Sequence, residues 1–174
     1  EEITKGTLEV VTDLIDHVDE TGIMLKSGRH LDADIIATAT GLQLQALGGV
    51  RISLDSNEVK PQDRFSYKAC MLNDVPNLFW CIGYTNASWT LRADMTARSA
   101  AKLIDYMNSH GFTHASPHLG SGPIDEKPAW DLQAGYVLRN PHALPRSSTK
   151  RPWVVRQDYW ADAVDHHFID KIDE

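Results

Sequence analysis

The apolar residues of the 174-residue chain fall into short runs at its start, one long stripe in its middle and scattered anchors at its end. Leu8, Val10 and Val11 lead to Asp13, and Ile15 and Val18 precede the turn-prone Glu20-Thr21-Gly22. Ile23, Met24 and Leu25 resume the run, which Lys26-Ser27-Gly28 closes. Short apolar runs between glycine-containing turns predict antiparallel strands. Asp34-Ile35-Ile36-Ala37-Thr38-Ala39-Thr40-Gly41 opens with a short β-branched core and reads as a buried strand entering a glycine turn. Gly48-Gly49, Asp55-Ser56-Asn57 and Pro61 mark loops, and Phe65 to Leu72 suits one further strand. Leu78-Phe79-Trp80-Cys81-Ile82-Gly83 is a continuous apolar run ending in glycine, the pattern of a strand covered on both faces.

A helix follows. Leu91, Met95, Leu103 and Met107 recur on a four-residue spacing around the small Ser99, and Ala100 and Ile104 widen that face. Thr85, Asn86 and Ser88 offer N-cap chemistry and Gly111 a stop, which predicts a helix from about Ser88 to about Ser109. From Phe112 onward lie most of the eight prolines and three of the five tryptophans. That mixture predicts an ordered loop draped over the body. Pro128-Ala129-Trp130-Asp131-Leu132 and Pro152-Trp153 would anchor it. Tyr159, Ala163 and His167 give residues 156–170 a weak helical period.

A formal charge of −7 argues against nucleic acid as a partner, because phosphate binding needs a basic face. No apolar run is long enough to span a bilayer and no secretory signal opens the chain, so a cytoplasmic setting is expected. Cys70 and Cys81 sit in apolar runs and read as buried, reduced thiols. The first residue is Glu1 rather than methionine, which suits a piece of a longer polypeptide. Among the eight histidines, His114 and His118 are four apart and His166-His167 adjacent, but the first pair lies in a Pro/Ser/Gly loop. Exposed or loop-bonded histidine is the expectation, with no metal site. Arg92 and Arg98 lie off the apolar stripe and read as a solvated helix face.

The strand–glycine–helix unit at residues 78–107 carries the most chemistry. A glycine lets backbone approach a ligand, and a helix start turns free N–H groups and a positive dipole end toward the same place. That arrangement suits an anion or a polarised carbonyl such as the pyrimidine edge of a reduced flavin. An ordinary βα unit with no ligand shares the same pattern.

Here a family resemblance enters. Val75-Pro76-Asn77-Leu78-Phe79-Trp80-Cys81-Ile82-Gly83-Tyr84-Thr85-Asn86-Ala87-Ser88-Trp89-Thr90-Leu91 closely resembles the late flavin-contacting segment of class B flavoprotein monooxygenases, the Baeyer–Villiger and flavin-containing type. Asp34, Ala39, Thr40 and Gly41 resemble the Asp-x-x-x-x-Ala-Thr-Gly stretch where that family's chain leaves the NADP domain for the FAD domain. Leu132-Gln133-Ala134-Gly135-Tyr136-Val137, Leu144-Pro145 and Pro152-Trp153 are similar to its tail.

The resemblance implies an α/β fold: the C-terminal part of a Rossmann-like flavoprotein with two dinucleotide-binding domains, a small antiparallel meander and a long loop-rich tail. Residues 1–41 would end the NADP-binding domain, 42–111 complete the FAD domain and 112–174 wrap over both. Gly83, Thr85, Asn86, Thr90 and Leu91 would be the flavin-side residues, with Thr40 and Gly41 a second group. NADPH would reduce FAD, and a flavin peroxide formed with O2 would oxygenate a small ketone, sulfide or amine. No Gly-x-Gly-x-x-Gly loop occurs in the chain. The oxygen-transfer residues and both phosphate loops would therefore lie upstream, leaving this chain no catalytic residue, weak flavin affinity and a tendency to self-associate. Two alternatives remain at this level. A flavin-dependent pyridine-nucleotide reductase is disfavoured because Tyr84, not aspartate, follows Gly83. A non-catalytic interaction module is the other.

Overall fold

The computed structural model describes residues 2–130, 135–140 and 143–167. Leu132 to Ala134 of the tail resemblance, Asp131 of the proposed anchor and residues 168–170 of the last helical period lie outside the described residues. The chain divides into two units, Glu1–Thr40 and Gly41–Glu174.

The first unit opens with a single helical turn, α1 (Glu2–Lys5). A three-stranded antiparallel meander follows: β1 (Ile15–Val18), β2 (Gly22–Leu25) and β3 (His30–Asp32), in that order. The turn between β1 and β2 forms because the Asp19 carboxylate accepts from the Thr21 N–H at 2.8 Å and the Gly22 N–H at 2.9 Å. Those bonds, with the Thr21 hydroxyl, hold Asp19 down to about 2. The Leu8–Val11 run stays irregular and largely exposed. So does the stretch from Ile35 to Thr40, where a buried strand was expected. Ile35 is 87% exposed there. A strand exists only through ladder bonds to a neighbour, and among the described residues of this unit none pairs with it.

The second unit starts with two small hairpins. β4 (Ile52–Leu54) and β5 (Asn57–Val59) join through Asp55-Ser56, both at positive φ, as a two-residue primed turn requires. The Phe65–Leu72 run is not one strand. It folds back as β6 (Ser66–Tyr67) and β7 (Met71–Leu72) around Lys68-Ala69, whose φ of 47° and 56° make the same kind of turn.

The apolar run 78–83 likewise departs from a regular strand. It makes one bridge, Phe79 to Met71, and then continues as buried irregular chain. The hydrophobic pattern specified burial, which Trp80 and Ile82 achieve, but no strand beside it supplies a ladder among the described residues.

Helix α2 (Trp89–His110) is capped by Gly111 in the left-handed region at φ 75°, so the predicted span is displaced by one residue. Its buried face runs through Arg92, Met95 and Thr96, rotated from the expected stripe, and leaves Ile104 exposed. Beyond it come β8 (Lys127–Pro128), the short α3 (Gly135–Leu138), β9 (Arg146–Ser147), which pairs with β8, and α4 (Tyr159–His167).

The core gathers Val59, Leu72, Val75, Trp80, Ile82, Trp130 and Val137. Trp130 and Trp153 are both buried, and Trp153 meets Tyr67 edge-on at 5.4 Å. Residues 113–117 are stitched down by Asn77, which donates to the Thr113 carbonyl and accepts from the Ala115 N–H.

The two cysteines divide. Cys70 is buried, and burial pushes its thiol up to about 12. Cys81 is exposed, contrary to expectation, because irregular chain at that point turns its side chain out.

Candidate functional site

The candidate site is the turn between the buried run 78–83 and the head of α2. Gly83 and Tyr84 are buried, and residues 85–90 are exposed. Ser88 is the N-cap of α2 but its side chain caps nothing; its hydroxyl meets Thr90 Oγ1 at 2.7 Å instead. The first N–H groups of a 22-residue helix are thus left without a side-chain cap.

Gly83 is needed for a reason the sequence did not show. A Cβ there would fall inside the contact distance of the Trp89 ring and 2.7 Å from Trp89 Cβ. The space is filled by an indole that also packs edge-on against Trp130 at 6.2 Å.

Thr85 and Asn86 are held by the tail. The Thr85 N–H and hydroxyl both donate to Gln157 Oε1, at 2.8 and 2.9 Å, and Asn86 Nδ2 donates to the Gln157 carbonyl at 2.8 Å. Leu91 lies at the helix surface. Gly83, Thr85, Asn86, Thr90 and Leu91 are therefore brought together at one turn. Gly41, at φ 93°, instead faces the Arg139 guanidinium, whose Nη2 is 2.8 Å from where a Cβ would be. Thr40 is exposed at the end of the first unit.

Directly beneath the turn is a buried charge pair. Arg92, read from sequence as a solvated residue, is 0% exposed. Its Nη2 donates to Asp162 Oδ2 at 2.7 Å and to the Arg156 carbonyl, and its Nη1 donates to the Gly83 carbonyl at 3.3 Å. The guanidinium stacks 3.8 Å from the centroid of the Tyr84 ring, a cation–π contact inside the core. The Tyr84 hydroxyl donates to the same Asp162 oxygen at 2.8 Å. Burial, and then the bond and charge of Asp162, push the Tyr84 phenol up, so it stays a donor.

The only local signal for this network was Arg92 itself, three residues before Met95 on the face that turns inward. Its tail partners lie 64 and 70 residues away and leave no trace in the helical period. Arg98, by contrast, is a solvated residue paired with Asp94 at 2.8 Å.

The histidines do structural work. His118 Nδ1 meets Asp74 at 3.0 Å on the surface. On α4, His166 Nε2 donates to the Lys68 carbonyl at 3.0 Å, and Ser99 sits 2.7 Å from Nδ1. A carbonyl can only accept, so this tautomer leaves Nδ1 to receive the Ser99 hydroxyl.

Burial lowers His166 below its ordinary 6.5, helped by the Lys68 and Arg92 charges and opposed by Asp162. The unfolded chain then binds a proton before the folded chain does. Stability should therefore fall as pH drops below about 6.5, and His166→Gln should flatten that fall. Melting temperatures of both chains between about pH 7 and about pH 5.5 check it; equal slopes would remove His166 as the cause.

On the other side of the 78–83 run lies an open apolar cleft of about 500 Å³, bordered by Leu47, Val50, Ile52, Leu78, Ile82 and Trp89. No helix among the described residues is long and apolar enough to cross a membrane.

Comparison with known proteins gives this turn its context. No family model matches the chain, and no solved structure matches it. Curated proteins do. The chain is 42% identical over 160 residues to "FAD-containing monooxygenase EthA" of Mycobacterium tuberculosis, covering 92% of this chain and 33% of that protein. It is 41% identical over 172 residues to EthA of Mycolicibacterium smegmatis, covering 99% and 35%. It is 38% identical over 161 residues to "Probable FAD-binding monooxygenase AlmA" of Acinetobacter baylyi, covering 92% and 32%. Over nearly its whole length the chain is thus homologous to FAD-containing flavoprotein monooxygenases, and it spans about a third of their length.

Proposed function

We propose that the chain is the C-terminal third of an FAD- and NADPH-dependent, cytoplasmic monooxygenase. Such an enzyme would insert one oxygen atom from O2 into a small ketone, sulfide or amine. The observation that carries this reading is the similarity to FAD-containing monooxygenases across 92% of the chain, the turn at 83–91 included. On this reading residues 1–41 finish an NADP-binding domain, 42–111 complete a Rossmann-like FAD domain, and 112–174 wrap over them.

The residues present suit one edge of a flavin and not a whole dinucleotide. The uncapped head of α2 and the exposed Thr90 hydroxyl suit a polarised ring carbonyl, while the Thr85 donors and Asn86 Nδ2 are engaged by Gln157 and shape the turn. No glycine loop is present to take a pyrophosphate. FAD, when bound, supplies the electron-transfer and oxygen chemistry. Gly83, Thr85, Asn86, Thr90 and Leu91 would set the ring edge in place, and Thr40 and Gly41 would serve as the weaker second group. A partial positive charge at a helix start favours negative charge nearby, so this edge would stabilise a reduced ring over an oxidised one.

Alone, the chain also has a bare apolar cleft and a buried run that makes one bridge but no ladder among the described residues, which favours self-association. Gel filtration of the 174-residue chain with excess FAD, monitored at protein and flavin wavelengths, tests both points. The expected result is a colourless species larger than a monomer. A yellow, stoichiometric monomer would overturn the half-site reading. A longer form containing this chain should be yellow and consume NADPH in the presence of a ketone or sulfide; a colourless one would overturn the enzymatic reading.

A further inference from the structure

Among the described residues, 84–87 form no main-chain to main-chain hydrogen bond, so the backbone of the turn does not by itself fix its shape. What fixes it comes from the tail. The Thr85 N–H can only donate, so the Gln157 amide must present its oxygen there, and the Thr85 hydroxyl donates to the same oxygen. With Asn86 bound to the Gln157 carbonyl, one tail residue accepts three bonds from two adjacent turn residues. Gln157 Nε2, meanwhile, is buried and finds no acceptor among the described residues. A buried donor left empty is costly, so the side chain is held in place by its oxygen contacts. Arg92 holds this arrangement from below. It grips the carbonyl of Gly83 at the start of the turn, the carbonyl of Arg156 just before Gln157, and Asp162 on α4.

We infer that Gln157, seated by the Arg92–Asp162 pair, is a positioning residue: it engages the Thr85 and Asn86 donors itself, clasps the turn and so orients the uncapped head of α2 at the flavin edge. The clasp stands on the contacts above; what the turn faces rests on the proposed function. Two readouts keep those apart. Amide hydrogen exchange of Thr85 in the 174-residue chain reads the clasp without flavin. The midpoint potential and visible spectrum of bound FAD, in a longer form containing this chain, read its effect.

Gln157→Leu should speed Thr85 exchange about tenfold, the worth of one hydrogen bond. It should also shift the flavin potential and spectrum. Gln157→Glu keeps an oxygen facing the N–H and should restore exchange to the original rate; if Q157L does not fold, Q157E and Q157M carry the comparison. Unchanged exchange in the leucine or methionine variant would overturn the clasp and leave the proposed function standing. Faster exchange with an unaltered potential and spectrum would overturn the positioning role.

Discussion

Arg92→Leu is expected to cost about 3–5 kcal/mol of folding stability, because it strands a buried carboxylate. The Asp162 side chain is only 10% exposed, and among the described residues Arg92 is its one cationic partner at bonding distance. The Tyr84 hydroxyl alone cannot offset a buried negative charge. The loss is large against the few kcal/mol that separate folded and unfolded chains of this size. The Gly83 and Arg156 carbonyls would lose their donor as well. A second variant separates the effect of a stranded charge from lost packing. Replacing Arg92 and Asp162 together by leucine removes both charges, and apolar pairs of similar volume often match a buried ion pair. The double variant should therefore recover much of the loss. Urea denaturation of the three chains gives the comparison. A cost below about 1 kcal/mol for R92L would show that water reaches Asp162 and that the pair behaves like a surface bridge.

Gly83→Ala should cost about 1–3 kcal/mol through overpacking. The added methyl would collide with Cβ and the near ring atoms of Trp89, parts of the side chain that cannot swing away without moving the helix start. Relief would require the indole to leave Trp130 and the first turn of α2 to shift. Trp89→Gly in the same chain, which removes the Cβ as well as the indole, should restore most of the loss attributable to the collision, a coupling that two independent sites would not show. Thermal melts read the stability, and tryptophan fluorescence reads the displaced ring. If G83A costs the same with and without the indole, backbone conformation rather than Trp89 is what requires glycine here.

What the sequence displayed and what it hid follow one physical division. Helix α2 was legible to within a residue because period, N-terminal polar residues and Gly111 are all local properties. The β1–β2–β3 hairpins were legible for the same reason, since their turns are made by Asp19 and the neighbouring glycines. The runs at 34–41 and 78–83 have strand composition, yet a strand is a property of two chains side by side. Among the described residues the first finds no such partner, and the second makes only the single Phe79–Met71 bridge. Phe65–Leu72 was misjudged because Lys68-Ala69 carries no glycine or asparagine to announce a left-handed turn.

In the candidate site, the residues of the turn were named from sequence, but what holds them was not. Gln157, Asp162 and Arg92 look like ordinary surface residues until the chain returns. A polar side chain reveals its burial only through its partner, and here the partners lie 64 to 78 residues apart.

That separation also has a consequence in time. A chain leaving the ribosome exposes the head of α2 well before the residue that neutralises Arg92 exists, 70 positions later. At ordinary synthesis rates the interval is on the order of 4–14 seconds. During it the guanidinium has no carboxylate to accompany it inward, and the cost of bringing a lone charge into the core keeps the region open. The stretch that carries Asp162 thus decides when this region can close. A polypeptide that stops short of Asp162 is left with a hydrated arginine where the finished protein has a buried one, and such an opening is what proteases and chaperones recognise as unfinished.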